Sequence, residues 1–191
     1  MPSTKENIIS LPNIHLRQLS QAVTVIDSKI QKVVEDMISA TLDWDKSREH
    51  EVGVALAAIQ IDKKYKIVIV RKDFEDKKNK EFNVYINPTI IKLYGSKTAD
   101  YEGCLSVDSL YGKVPRYTKV DISAMDLTGK INTFTYEGFL ARVLQHEIDH
   151  TNGILFIDKI KNRKKAFFNL NDSGKLEPII YEQIKKNNLL W

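Results

Sequence analysis

The chain has 191 residues, 42% hydrophobic and 28% charged, with a net charge of +4 and one cysteine. That is enough chain for one domain with its own hydrophobic core, and the composition is that of an ordinary globular protein. No apolar run approaches a membrane span, a lone cysteine permits no intramolecular disulfide, and the first dozen residues carry neither a secretory pattern nor an arginine-rich transit pattern.

Up to about Ser20 the chain reads as irregular, with Pro2 and Pro12 as breakers. Ser28-Lys29-Ile30-Gln31 has capping-box form, and Ile30, Val33, Val34, Met37 and Ile38 keep helical spacing, so a first helix is expected to about Thr41. Asp43 to Glu51 is dense in charge and reads as a loop. Gly53 to Gln60 is small and apolar and reads as a buried strand with a polar end. Small residues there would let another backbone come close. A buried strand follows from Tyr65 to Arg71, then a charged turn from Asp73 to Lys80. Strands are expected over residues 82–86 and 89–94, broken by Asn87-Pro88, with a turn from Gly95 to Asp100 and a loop marked by Gly112 and Pro115. Arg116 to Asp126 alternates and, with Ile131 to Tyr136, makes a hairpin that leads into a helix over residues 137–150, stopped by Asn152-Gly153. Residues 167–181 fit either a hairpin or a short helix. Strands joined by tight turns predict an α+β fold, with antiparallel β-sheets packed around a central helix. No repeat or linker divides residues 1–191.

That central helix carries H-E-x-x-H. Residues four apart lie one above the other, so His146 and His150 share a face on which two imidazoles suit one metal ion. At about 100° per residue, Phe139, Leu140, Val143, Leu144 and Ile148 form an apolar arc. Arg142, Gln145 and Asp149 lie opposite, and Glu147 falls inside the arc, a costly place for an unpaired carboxylate. Cys104 is either a third ligand or a small core residue. Lysines gather at Lys63, Lys72, Lys77, Lys78 and Lys80 and again from Lys159 to Lys165. They read as a solvated surface, with contact to a polyanion such as a ribosome as the sharper alternative. No aromatic interleaving suggests sequence-specific nucleic-acid readout.

Three stretches, Gly53-Val54-Ala55-Leu56-Ala57-Ala58-Ile59-Gln60, Glu102-Gly103-Cys104-Leu105-Ser106 and Gln145-His146-Glu147-Ile148-Asp149-His150, together resemble the three motifs of peptide deformylases, in the family's order. The resemblance runs from about Leu16 to Asp158 and leaves the tail from Lys159 open. It implies one catalytic domain that removes the N-formyl group from the N-terminal methionine of newly made polypeptides and releases formate. It also implies Cys104, His146 and His150 as ligands of one divalent metal. Fe2+ is expected, with Zn2+, Ni2+ or Co2+ able to substitute. Glu147 would move the proton, and the Gln60 side chain and Leu105 N–H would stabilise the oxyanion. Gly53 and Ala55 are candidates for contact with an extended peptide, Phe139 and Val143 for the methionine pocket. Glu102, Arg116 and Asp149 are candidates to brace the ligands. The setting implied is a bacterial cytoplasm. The motif departs from the family's usual form at Ala55, where a second glycine is common, and at Ser106-Val107-Asp108, where a proline commonly follows; both touch substrate fit. Two rivals share parts of the pattern. A zincin-like metalloprotease would not need Cys104, and a catalytically idle binding module would keep the fold without turnover.

Overall fold

The structure, a computed structural model, describes residues 2–186. Helix α1 (Ser28–Lys46) is capped by Asp27, whose carboxylate accepts the Ile30 N–H at 3.0 Å, so the cap lies one residue before the expected Ser28. Ile30, Val33, Val34 and Met37 bury against Leu56, Ile67, Ile69 and Ile86, the stripe the periodicity predicts. The helix does not end near Thr41. It continues to Lys46, into the charged stretch expected to be a loop, because Trp44 and Asp45 are buried there. The Asp45 carboxylate accepts the Gly53 N–H at 2.6 Å and pairs with the fully buried Arg71.

Seven strands form one antiparallel sheet in the order β1 (Ala55–Ala57), β2 (Ile67–Arg71), β3 (Phe82–Cys104), β4 (Val107–Met125), β6 (Phe167–Leu170) and β7 (Leu176–Pro178). The strand β5 (Ile131–Glu137) also pairs with β4. Three expected interruptions do not end the strands, although the register shifts at Asn87-Pro88, between Ile86 and Thr89. Asn87 sits inside β3 at φ 52°, and its side chain grips the N–H and C=O of Val23, both at 2.8 Å. Gly95, φ 76°, marks a register shift between Tyr94 and Lys97 rather than a reversal. Gly112 lies within β4, where Ile160 and Phe156 fill the space a Cβ would need. Pro115, opposite Ala99, falls between the part of β4 paired with β6 and the part paired with β5. Turn-type residues thus mark bulges and close contacts in two long strands.

Helix α2 (Gly138–Thr151) packs against the sheet from β1 to β5. Ala141, Leu144 and Ile148 bury with Ala57, Ile59, Val68, Val120 and Ile122. The face expected to be polar is enclosed as well: Arg142 and Gln145 are buried. Gln145 accepts the Tyr117 N–H at 3.2 Å and donates to the Tyr117 C=O at 2.8 Å, which locks α2 to β4. A third apolar cluster places Leu110, Val114, Phe156, Ile160, Phe167 and Ile184 under the C-terminal segment. Of the two alternatives for that segment the hairpin, β6–β7, is the one that forms, and the short helix α3 (Tyr181–Lys186) follows it. The last residues of the tail, 187–191, lie outside the described part. Among the described residues no helix is long and apolar enough to cross a membrane.

Candidate active site

Cys104 ends β3, and the two histidines lie one turn apart on α2. Cys104 Sγ is 3.2 Å from His150 Nε2, which is 3.1 Å from His146 Nε2, and the three ligand atoms lie within 4.8 Å of one another. His146 Nδ1 is hydrogen-bonded to Glu102 Oε2 at 3.0 Å, which leaves Nε2 as the atom facing the cluster. Burial, with His146 beside it, pushes the His150 pKa well down and keeps that ring in the neutral, ligating form. Burial opposes charge on His146 too, but Cys104 and Glu102 outweigh it and raise that pKa to about 10. Among the described residues the cluster is a thiol and two buried imidazoles with no fourth protein donor, which fits a divalent metal with an open coordination position.

One carboxylate braces this cluster. Glu102 accepts from Arg116 Nε at 2.9 Å, Arg116 Nη2 at 3.0 Å and Arg142 Nη1 at 2.7 Å, besides its contact with His146. Burial by itself would raise the Glu102 carboxyl; the bonds from His146 and Arg116 outweigh it and hold the pKa at about 2. Arg116 Nη1 reaches on to Asp149, which Lys159 Nζ approaches at 2.9 Å. Asp149 therefore acts on the arginine, its carboxylate pairing with Arg116 and Lys159.

Glu147 is buried, and its Oε2 has no hydrogen-bond partner among the described residues. Burial pushes its pKa up to about 7, against the pull of His146 and Arg116. It lines a pocket of about 340 Å3 together with Gln60, Cys104, Leu105, His146 and Ala55. Gln60 is held in place: its Oε1 accepts the Ala57 N–H at 2.8 Å, while Nε2 faces Ser106 Oγ at 3.2 Å and Cys104 Sγ at 3.5 Å. Phe139 and Val143 also line the pocket, and Phe139, 47% exposed, makes a tilted ring contact with Phe74, centroids 4.8 Å apart.

Gly53 is a correction. Its N–H goes to Asp45 and its C=O accepts from Arg71 Nε at 3.1 Å, so its backbone is engaged inside the protein. A Cβ there would sit 2.6 Å from Thr41 Cγ2, which explains the glycine without a substrate. The pocket wall is made by its neighbours Val52, Val54 and Ala55. Sequence reasoning also passed over Arg142. Arg142 stands four residues before His146 on one helix, and that spacing is the sequence signal that puts it beside the histidine. The Asp45–Arg71 pair, 26 residues apart, had no such signal.

The family model for polypeptide deformylase matches residues 5–166. The chain belongs to the polypeptide deformylase family. The peptide deformylase of Desulfotalea psychrophila is 38% identical over 161 residues, 84% of this chain and 90% of that protein. A crystal structure of a peptide deformylase from Legionella pneumophila, 36% identical, has a TM-score of 0.72 and covers 83% of this chain and 86% of its own. One from Synechococcus elongatus, in complex with actinonin, is 32% identical with a TM-score of 0.74, over 82% of this chain and 80% of its own. One from Acinetobacter baumannii, bound to Met-Ala-Ser, is 27% identical with a TM-score of 0.70, over 80% of this chain and 96% of its own.

Proposed function

We propose that this chain is a metal-dependent deformylase that removes the N-formyl group from the N-terminal methionine of newly made polypeptides and releases formate. The observation that carries the reading is the Cys104–His146–His150 convergence beside a buried Glu147 carboxylate with an open oxygen. A divalent ion held there supplies Lewis acidity, which acidifies water and polarises the carbonyl under attack. Residue chemistry supplies the rest. Glu147, with a pKa near neutrality, takes a proton from water and returns it to the leaving amine. Gln60 Nε2 and the Leu105 N–H are assigned to the developing oxyanion; losing one such donor costs ~10²–10³ in rate. Glu102 and its two arginines keep His146 in the ligating orientation, and Asp149 steadies Arg116. The methionine side chain is assigned to the Phe139–Val143 side of the pocket, and Ala55 to the wall along which the peptide lies.

Several finer assignments belong to the same reading. Fe2+ is the working metal, with Zn2+, Ni2+ or Co2+ able to occupy a site of one thiolate and two imidazoles. The substrate is a nascent chain in a bacterial cytoplasm; a Met-Ala-Ser-bound relative supports a peptide ligand. The whole chain acts as one catalytic domain. Ribosome contact is assigned to a shallow concavity lined by Lys113, Arg163, Lys164 and Lys165, where phosphate would find four cations. The deciding experiment is formate release from a formyl-Met peptide by protein purified anaerobically with Fe2+, against a Glu147→Ala control. Release at the control's rate, with metal bound, would sink the reading.

A further inference from the structure

Residues 8–20, which precede every motif, touch or abut all three of them. Ile9 N–H donates to the Gln60 C=O at 2.8 Å, and Leu11 N–H to the Ser106 C=O at 3.0 Å. Ser20 N–H donates to the C=O of Thr151, one residue past His150, at 2.9 Å. The segment is packed as well as bonded. Ile8 and Leu16 are buried in different apolar clusters, and Cys104 packs against the one that holds Leu16. Arg17 pairs with Asp158, and its C=O leaves no room for a side chain at Gly153, where a Cβ would lie 2.4 Å away. Between these anchors one contact is open to solvent. His15 Nδ1, in the short turn Ile14–Arg17, is hydrogen-bonded to Asp62 Oδ1 at 2.7 Å, and the two side chains are 41% and 44% exposed. Asp62 closes the 3-10 turn Ala58–Ile61 that carries Gln60. Its backbone is left-handed, φ 57°, and its N–H returns to the Ile59 C=O at 3.0 Å.

Gln60 depends on such support more than the histidines do. His146 and His150 share a helix, and Glu102 braces one of them. Gln60 stands on a 3-10 turn of 4 residues, a form whose hydrogen bonds are poorly aligned and which does not hold itself in place. The Ala57 N–H fixes the Gln60 Oε1, but that contact is local and moves with the turn. The hydrogen bonds that tie Gln60 and Asp62 to other segments run to Ile9, to His15 and to the Cys104–Ser106 loop, and Leu11 in turn holds Ser106. We propose that residues 8–20 are a positioning strap, which sets the Gln60 amide and the Leu105–Ser106 peptide against the Cys104–His146–His150 cluster, with the His15–Asp62 pair as its clasp. The oxyanion exists only after attack on the carbonyl. A displaced amide therefore leaves ground-state binding alone and weakens the transition state, so the strap acts on kcat rather than on KM or metal affinity.

The proposal rests on the deformylase reading, and its test keeps the two apart. Formate release from a formyl-Met peptide and metal competition with a chelator are measured on the metal-loaded wild type, His15→Ala, His15→Arg, Ile9→Pro, Gln60→Ala and the double variant His15→Ala/Gln60→Ala. Opening the exposed clasp in His15→Ala should lower kcat roughly two- to fivefold, the size of one partly exposed pair, with KM and metal affinity unchanged. His15→Arg still pairs with Asp62 and should restore the rate. Ile9→Pro removes the N–H bonded to Gln60 and should cost roughly ten- to a hundredfold in kcat, within the loss expected for one whole oxyanion donor. In Gln60→Ala the clasp has no amide to position, so adding His15→Ala should change nothing, a coupling that a general loss of stability does not produce. Should Ile9→Pro misfold, the exposed His15 variants still decide. A His15→Ala protein with wild-type kcat, with the same loss in both backgrounds, or with its loss confined to KM or metal affinity, overturns the proposal and leaves the reaction standing. No formate from the wild type overturns both.

Discussion

Replacing Glu102 with glutamine tests the central brace. The two Glu102 oxygens receive four donors: Arg116 Nε and Arg142 Nη1 on Oε1, Arg116 Nη2 and His146 Nδ1 on Oε2. An amide has one oxygen. Whichever way it turns, its NH2 faces two N–H donors in a site with 6% exposure. Two charge-assisted hydrogen bonds are lost, at ~1.5–3 kcal/mol each, and two arginines lose their buried counter-charge, so the expected destabilisation is about 3–5 kcal/mol. With an ordinary domain stability of ~5–15 kcal/mol the variant remains folded but marginal. With the NH2 on the Oε2 side His146 Nδ1 loses its acceptor, and in that orientation metal affinity should fall ~10–100-fold. Urea unfolding of the metal-loaded protein reads the first quantity, and competition with a coloured chelator reads the second. Asp149→Asn, which touches Arg116 from its more exposed side, serves as the comparison and should cost about 1 kcal/mol. A Glu102→Gln protein within ~1 kcal/mol of wild type, binding metal equally well, would refute the argument.

Arg71→Met strands the Asp45 carboxylate in the interior and should cost about 3–5 kcal/mol in urea unfolding, much of it recovered in Arg71→Met/Asp45→Leu; equal stability of the single and double variants would contradict a coupled pair. Tyr85 has its pKa raised by burial and by its bond to Tyr136, so the neutral phenol is the form the fold favours. Its contribution is complete below the ordinary value of 10.0 and is lost as pH rises above it, with a slope near 1.4 kcal/mol per pH unit that Tyr85→Phe removes. Parallel alkaline stability curves for the two proteins would show the sign to be wrong. Chelation should lower the unfolding free energy by ~4 kcal/mol where free metal had stood at about a thousand times its Kd, read as a drop in the urea midpoint. An unmoved midpoint in protein shown by metal analysis to have lost its ion would mean that the cluster does not link metal to folding.

The local code of this chain is strong where periodicity and chemistry coincide. Helical spacing placed Ile30 to Met37 on one buried stripe and set His146 and His150 one turn apart, because both patterns depend only on the 3.6-residue repeat. The three motifs identified the family and the residues to watch, since ligand types and their order are written in the chain itself. Other features depended on long-range contacts. Asp43 to Lys46 looked like solvated loop until Arg71 and the Gly53 N–H appeared as partners for Asp45. Gly95, Gly112 and Pro115 looked like turns, and the paired strands absorb them as bulges and close contacts that no local propensity encodes. Helix α2 looked amphipathic, yet the sheet wraps it so far that Arg142 joins Arg116 on Glu102. The sequence by itself determined the family and the one-turn spacing of His146 and His150. Tertiary structure decided which groups support the site, turning Gly53 inward and bringing His15 against Asp62, because burial and charge pairing depend on segments that meet only after the chain has folded.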